Sequence, residues 1–373
     1  MLRFERMTPL DVVAFGLDSH LLDPSSAAFV RQQAYYQGKH VRILLATRGE
    51  RIEVKRDGLS VLQVGGLSRV AVFLRLIREV FRLPVNVSTI FLAQAPDLLG
   101  GLVWIGSLLQ GARFFVQDHG GLAFRSVAGF QERMMRWFGF WLFRRAERIR
   151  VVSRRAQEAL IQIGIASEKV YTFPIEADLA PFFAVERTPV SERQIVTVAR
   201  LASEKGIDWL LRAFSRLTDT SVRLMIVGSG AQREALGRLA GQLGIVERVT
   251  FLGVRSPAQI AELFSRATVY VQPSRFEGWG MALLEASAAG LPCITTQDVG
   301  CIGEVLLEGR GASLVPFGDT QALARLLDEY LSLAPEALAL QGDAAREAVR
   351  SYRQRLPEDA RGVQATRRFL FGE

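Results

Sequence analysis

The sequence predicts an α/β protein made of two domains, each built on a largely parallel sheet. Three observations carry that prediction. Short apolar runs alternate with helical segments along most of the chain, as they do where helices connect parallel strands. The alternation breaks at Thr188–Glu192, a linker-like stretch, and restarts at Gln194–Val198. A length of 373 residues exceeds one ordinary domain and suits two. The expected division is 1–185 and 186–343, with 344–373 as closing helices.

The first strand is Leu10–Leu17, apolar enough for burial on both faces. Asp23-Pro24-Ser25-Ser26 supplies capping side chains for a helix that ends near Gly38. Strands follow at Val41–Thr47 and Val61–Val64, then a helix over Arg69–Leu83. Next come a strand at Val87–Ala93, a helix at Leu98–Leu109 and a strand at Arg113–Gln117. Gln131–Ala156 is dense in arginine and aromatic residues, with a short strand expected at Val151–Ser153 and another at Lys169–Phe173. Pro174–Asp178 closes this half.

After the linker the reading is strand Gln194–Val198, helix Gly206–Leu217, strand Arg223–Val227, helix Ala231–Leu243 and strand Val249–Leu252. Helix Pro257–Ser265 and strand Val269–Gln272 lead to a small-residue helix. Strand Cys293–Thr295, a glycine-rich stretch and helix Thr320–Leu331 complete the second sheet. Arg-rich helices from about Ala344 to Phe371 end the chain.

Composition narrows the function. A charged fraction of 23% against 49% hydrophobic residues excludes a mainly disordered chain. The net charge of +8 calls for an acidic partner: a nucleotide, a nucleic acid or an anionic membrane. Cys293 and Cys301 are the only cysteines, too few for a disulfide framework, which favours a reducing cytoplasm. Leu98–Leu109 is the longest soft apolar run, too short and too glycine-rich to span a bilayer, and no signal peptide is evident.

The chemistry concentrates in Val271–Pro292, VQPSRFEGWGMALLEASAAGLP. On one helix Glu277 and Glu285 would lie about 80° apart. Gly278 and Gly280 suit a turn instead, which puts Glu277 in the loop before the helix and Glu285 on it. A helix opening after a glycine turn offers free N–H groups to a phosphate, and two carboxylates beside it accept bonds from hydroxyls. The combination suits a nucleotide sugar. Upstream, Arg200 and Lys205 stand five residues apart in a strand-to-helix loop, able to grip a diphosphate; the plain alternative is two solvated cations. Gly228-Ser229-Gly230 starts like a dinucleotide fingerprint, but Arg233 stands where the third glycine belongs, so NAD is disfavoured. That loop, and the one after Gly253 near Arg255, are either parts of a nucleotide pocket or simple turns.

These motifs resemble those of retaining glycosyltransferases of family 4, group 1: the E-x7-E segment, and R-L-x-x-x-K-G at Arg200–Gly206. The resemblance is specific from about Gln194 to Pro316 and weaker before it. It implies a GT-B fold, two Rossmann-like domains facing a central cleft, with the last helices crossing back to the first. It also implies that Glu277 contacts the donor sugar, Glu285 the ribose hydroxyls, and Arg200 and Lys205 the diphosphate. Gly228, Gly230, Arg255, Gly278, Trp279 and Gly280 would surround the donor. Trp279 stands where family members often have Phe, and Cys301 where glycine is common. His119, in Phe114–Gly121 (FFVQDHGG), matches the family's cleft histidine, with Asp118 beside it. His20 and His40 are the other two histidines. Leu17–Pro24 looks like the polysaccharide-assembly branch, with Ser25 and Ser26 where many members carry Gly-Gly. Ser25, Ser26, Gln94 and Asp118 are the acceptor-side candidates.

On a helical wheel Met134, Trp137, Phe138, Trp141 and Leu142 share a face, while Phe140, Phe143, Arg136 and Arg144 lie off it. With Arg133, Arg136 and Arg144 close to Trp137, Phe140 and Phe143, this helix reads as lying in an anionic membrane surface. A core helix with a basic solvated face is the other reading, and no nucleic-acid motif accompanies the charge.

The expected activity is transfer of a hexose, with retention, from a UDP- or GDP-sugar to a glycan acceptor. The acceptor would be lipid-linked, in cell-surface polysaccharide or lipopolysaccharide assembly at the cytoplasmic face of the membrane. No cofactor is implied, and no D-x-D motif occurs, which points away from a metal-dependent enzyme of the GT-A kind. A nucleotide-sugar epimerase or hydrolase of the same fold and a non-catalytic partner subunit remain as alternatives.

Overall fold

The computed structural model describes residues 9–16, 19–122, 129–175, 178–188, 192–357 and 361–373. Expectations falling on Leu17 and Asp18, on Glu176 and Ala177, on positions 189–191 of the linker and on the His20 side chain lie outside the described residues. The chain forms two compact units: 1–174 joined by 357–373, and 175–356.

The first unit holds an eight-stranded sheet. Its elements are β1 (Val12–Gly16), α1 (Ala27–Tyr35), β2 (Val41–Leu45), β3 (Ile52–Arg56), β4 (Leu59–Gln63), α2 (Arg69–Val80) and β5 (Ile90–Ala93). They continue with α3 (Leu98–Gln110), β6 (Arg113–Asp118), α4 (Phe130–Arg145), β7 (Arg148–Val151), α5 (Arg154–Gln162) and β8 (Val170–Thr172). The strand order is β3-β4-β2-β1-β5-β6-β7-β8, parallel except where β3 meets β4. Strand β1 shows why the strands are apolar throughout. Val13 and Phe15 enter the core beneath α2–α5, while Val12 and Ala14 enter the core on the opposite face with Phe29 of α1. Both faces are covered, so neither alternating position can be polar.

The β3–β4 hairpin is an edge the sequence reading missed. Its two-residue turn is Asp57-Gly58, both at positive φ, the geometry that matches strand twist. Glu53, Lys55 and Arg56 keep this outer strand charged, which discourages edge pairing with another chain. The strand expected at Val151–Ser153 instead ends at Val151. Ser153 leaves the sheet to cap α5, its hydroxyl accepting from the Ala156 N–H at 3.3 Å.

The second unit contains α6 (Ala180–Phe183), β9 (Gln194–Val198), α7 (Ile207–Phe214), β10 (Arg223–Val227), α8 (Arg233–Gln242), β11 (Val249–Gly253) and α9 (Pro257–Arg266). It continues through β12 (Val269–Gln272), α10 (Met281–Ala288), β13 (Cys293–Thr295), β14 (Leu307–Glu308), β15 (Gly311–Leu314), α11 (Thr320–Ser332) and α12 (Pro335–Arg355). All seven strands are parallel, in the order β11-β10-β9-β12-β13-β15-β14. Helix α7 buries Trp209, Leu210, Leu211 and Phe214 against one face with α8 and α11. On α12, Arg346 donates to the carbonyls of Ala288 and Ala289 at 3.0 and 3.1 Å, closing the C-terminal end of α10. The chain leaves this unit after α12, and α13 (Gly362–Phe371) packs beside α1 in the first unit through the buried Phe369.

Candidate functional site

In the second unit the strand order reverses between β9 and β12. The loops leaving the C-terminal ends of β9, β10, β11 and β12 therefore diverge there, which is where open parallel sheets bind ligands. They enclose a cavity of about 420 Å3. Arg200 and Lys205 come from the first loop, Gly228 and Ser229 from the second, Arg255 from the third, and Ser274 and Glu277 from the fourth. Helix α10 adds Met281, Ala282 and Glu285 to the wall.

The pocket is built on close backbone approaches. A Cβ at Gly228, whose φ is +129°, would sit 1.9 Å from the Ala199 carbonyl oxygen, so only glycine lets these two loops nest. Glu277 is in the loop before α10, as its flanking glycines suggest. Its N–H donates to the Asp298 carbonyl and its carbonyl accepts from the Gly300 N–H, each at 2.9 Å. That two-sided anchor fixes the side chain, whose Oε2 accepts from Nζ of Lys205. The Lys205 side chain is only 11% exposed, so the ion pair is largely shielded from water. Arg200 differs: its guanidinium is mostly exposed at the rim and donates to Glu204 at 2.9 Å, a residue the sequence reading had not paired with it.

Glu285 lies one turn into α10. Burial alone pushes its carboxyl up to about 7, so at neutral pH its two forms coexist. Gln272, whose Oε1 accepts from the Tyr270 hydroxyl at 3.2 Å, also lines the cavity and was not anticipated. An apolar strand end offered no signal for it.

Trp279 was expected beside the donor. Its side chain is instead fully buried, 6.0 Å from the Tyr352 ring, and does not line the cavity. Its carbonyl accepts from the Cys301 N–H, so the residue fastens the turn from behind. Gly278 and Gly280 shape that turn, and neither they nor Gly230 are in the wall.

In the first unit, β1 and β5 flank the corresponding reversal. Ser25 and Ser26 follow β1, Gln94 follows β5, and Asp118 ends β6 with His119 directly after it, all at the C-terminal edge of the sheet. Ser25 donates from N–H and hydroxyl to Asp23, and the Ser26 hydroxyl caps α1 by accepting from the Phe29 N–H at 3.1 Å. Gln94 is half-buried. Asp118 is buried and accepts from the Gly120 N–H at 3.0 Å. Nε2 of His119 lies 2.7 Å from Oε1 of Gln117.

Helix α4 departs from expectation. Phe143 is fully buried and packs in the core with Gly139 and Leu142, so it cannot face a membrane. The contact stripe covers only the C-terminal half of the helix, which leaves Phe130, Met134 and Trp137 exposed on the other half. Phe140 is partly covered, with Arg136 over its ring at 5.0 Å. Arg133 and Arg144 are exposed, and Arg144 donates to the Ile163 carbonyl. Among the described residues no helix is long and apolar enough to cross a membrane.

Two family patterns match the chain. Residues 181–348 match that described as glycosyl transferases group 1, and residues 27–176 match a glycosyl transferase 4-like domain. The chain is 29% identical over 239 residues to glycogen synthase of Mycobacterium tuberculosis, covering 62% of this chain and 55% of that protein. It is 29% identical over 217 residues to the putative colanic acid biosynthesis glycosyltransferase WcaL of Escherichia coli, covering 56% and 53%. The chain thus spans about half the length of these curated relatives. Among solved structures, it is similar to Anabaena HepE in complex with UDP-glucose, with a TM-score of 0.70 at 17% identity over 97% of this chain and 98% of that one.

Proposed function

The chain belongs to the group 1 glycosyltransferases and has the α/β GT-B fold, and from that premise we propose that it transfers a hexose, with retention, from a UDP- or GDP-sugar to a glycan acceptor. The observation that carries the reading is the pocket at the strand reversal of the second unit. Its wall carries two cations, Arg200 and Lys205, and two carboxylates, Glu277 and Glu285, with Lys205 and Glu277 joined in an ion pair. This is the charge pattern a nucleoside diphosphate sugar requires. Its diphosphate meets guanidinium, ammonium and the free N–H groups at the start of α10, and its hydroxyls meet the carboxylates. The binding of UDP-glucose by a protein of the same fold adds support.

In this reading Lys205 and Arg200 stabilise the negative charge that grows on the leaving diphosphate as the glycosidic bond breaks, without a metal ion. Glu277, oriented by its two backbone bonds and by Lys205, holds the sugar being transferred. The leaving phosphate takes the acceptor's proton on the same face, which gives retention.

The acceptor is lipid-linked and the site of action an anionic membrane surface, in polysaccharide or lipopolysaccharide assembly. Support comes from exposed apolar side chains on three neighbouring helices of the first unit. Val70, Phe73 and Leu74 are on α2, Ile105, Leu108 and Leu109 on α3, and Met134 and Trp137 on α4. Arg69, Arg75, Arg78 and Arg133 are interspersed among them. Calorimetric titration with UDP and GDP in the presence of EDTA tests the donor part. Binding of one nucleotide, weakened tenfold to a hundredfold by Lys205→Ala, about 1.4–2.8 kcal/mol, is expected. Equal affinity of the wild type and the variant would overturn the pocket assignment.

A further inference from the structure

The second unit has a larger cavity at the opposite end of its sheet. Arg193 directly precedes β9, Thr268 directly precedes β12 and Gly290 comes just before β13, and all three line a space of about 760 Å3. The strands of this sheet are parallel, so the space lies at their N-terminal ends, whereas the pocket of Arg200 and Glu285 lies at their C-terminal ends. Its size is in the range of small-molecule sites, roughly 300–1,000 Å3. Every residue of its wall belongs to the second unit.

Three arginines, Arg187, Arg193 and Arg346, converge on this cavity. Nη1 of Arg187 donates to the Phe264 carbonyl at 3.0 Å, Nη2 of Arg193 to the Leu333 carbonyl at 2.9 Å, and Nη2 of Arg346 to the Val185 carbonyl at 2.8 Å. These acceptors are neutral, and among the described residues no carboxylate lies within ion-pair distance of any of the three. A guanidinium carries more N–H donors than such bonds use, so each keeps donors for a further acceptor. Arg187 and Arg346 are also close enough to repel. Burial first, and the Arg346 charge as well, hold the Arg187 guanidinium below the ordinary arginine range. Like charges gathered without a counter-ion are what a bound anion relieves. Glu186, Glu336 and Asp343 are exposed and lie in the same wall. On α12, Glu336, Ala339, Asp343 and Arg346 recur every three or four residues, so they form one stripe along the cavity.

We propose that this cavity is a second ligand site, taking a small hydroxylated organic phosphate of the sugar-phosphate class, with the phosphate on Arg187, Arg193 and Arg346 and the hydroxyls on Glu186, Glu336 and Asp343. A phosphate monoester presents three terminal oxygens, enough to engage guanidiniums arriving from separate elements, where a carboxylate presents two. The space is far larger than a bare phosphate fills, which leaves room for the hydroxylated body. The carboxylates are free to accept from its hydroxyls because none of them is spent on these arginines. Val185 and Leu338, both buried, add apolar surface to the wall for the carbon-bound faces of a sugar ring. The site is separate from the donor pocket and rests on no part of the reading of that pocket.

The test is calorimetric titration of the full chain with glucose 6-phosphate, ribose 5-phosphate, inorganic phosphate and glucose. Each titration is run on wild type, Arg187→Glu, Ala339→Trp and Lys205→Ala. Arg187→Glu reverses one of the phosphate-binding charges, Ala339→Trp fills the cavity without touching a charge, and Lys205→Ala removes a cation from the other pocket. A sugar phosphate should bind wild type and Lys205→Ala equally, lose at least tenfold in affinity in Arg187→Glu, about 1.4 kcal/mol or more, and fail to bind Ala339→Trp. Inorganic phosphate should bind at least tenfold more weakly than the sugar phosphate, and glucose not measurably. Cooperative thermal unfolding checks that each variant is folded, and Ala339→Trp decides the matter if Arg187→Glu is not. No binding of either sugar phosphate at millimolar concentration overturns the proposal. So does binding that survives both Arg187→Glu and Ala339→Trp, or that is lost in Lys205→Ala, which would place the phosphate in the donor pocket. Inorganic phosphate binding as tightly as the sugar phosphates overturns the role given to the carboxylates. A failure of UDP and GDP to bind would sink the donor reading and leave these titrations to decide the second site.

Discussion

Replacing Glu285 with glutamine should stabilise the protein, and only above mildly acidic pH. The Glu285 carboxyl titrates near 4.5 when exposed, and burial on α10 pushes it up to about 7. That rise of about 2.5 on the pH scale corresponds to ~3 kcal/mol at 1.36 kcal/mol per unit. Below pH 4.5 the carboxyl is protonated in both the folded and the unfolded chain and costs nothing. Between 4.5 and 7 the folded state binds more protons than the unfolded one, so stability falls as pH rises, and above 7 the loss is complete. Glutamine removes this penalty. Thermal unfolding of wild type and Glu285→Gln at pH 5 and pH 8 reads the effect. The variant should melt only about 2–3 °C higher than wild type at pH 5 and roughly 6–12 °C higher at pH 8, taking 2–4 °C per kcal/mol for a unit of this size. A gap that does not depend on pH, or a variant less stable than wild type at pH 8, would refute the reasoning. The same substitution should weaken nucleotide binding, because an amide is a poorer partner for two ribose hydroxyls than a carboxylate.

Three further outcomes follow from the geometry. Gly228→Ala forces a Cβ against the Ala199 carbonyl, so it should abolish nucleotide binding by calorimetry while the protein still melts cooperatively. Trp279→Phe should lower stability by about 1–3 kcal/mol, from lost buried volume, yet leave nucleotide affinity within twofold, because the ring packs on Tyr352 and not on the cavity. A triple charge insertion, Leu74→Glu, Leu108→Glu and Trp137→Glu, should abolish co-sedimentation with anionic vesicles without changing UDP affinity; unchanged sedimentation would remove the membrane surface from the account.

The parallel sheets were legible because both their faces are covered, which writes a strand such as β1 as an unbroken apolar run. The site was legible where chemistry and spacing coincide: Lys205 and Glu277 are 72 positions apart, and each stood out through its own loop before the fold joined them. Three features were hidden for identifiable reasons. The β3 edge is charged and half-exposed, so it lacks the apolar run of its neighbours, although Asp57-Gly58 announced the turn. A helical wheel assigns α4 one face along its whole length, whereas packing covers only its second half, so Phe143 was placed outside although it is buried. Trp279, between two glycines of the site motif, looked like a donor contact because sequence proximity cannot distinguish the wall of a turn from its support.

Transfer of a sugar from a nucleotide to an acceptor is the activity proposed for this chain. Nucleotide release would be measured with a panel of UDP- and GDP-sugars and EDTA, with and without a membrane lipid extract, for wild type, Lys205→Ala and Glu277→Ala. The expected result is release from one donor that requires the lipid extract, survives EDTA and disappears in both variants. Equal release without any acceptor, or none from any donor together with no nucleotide binding, would contradict it.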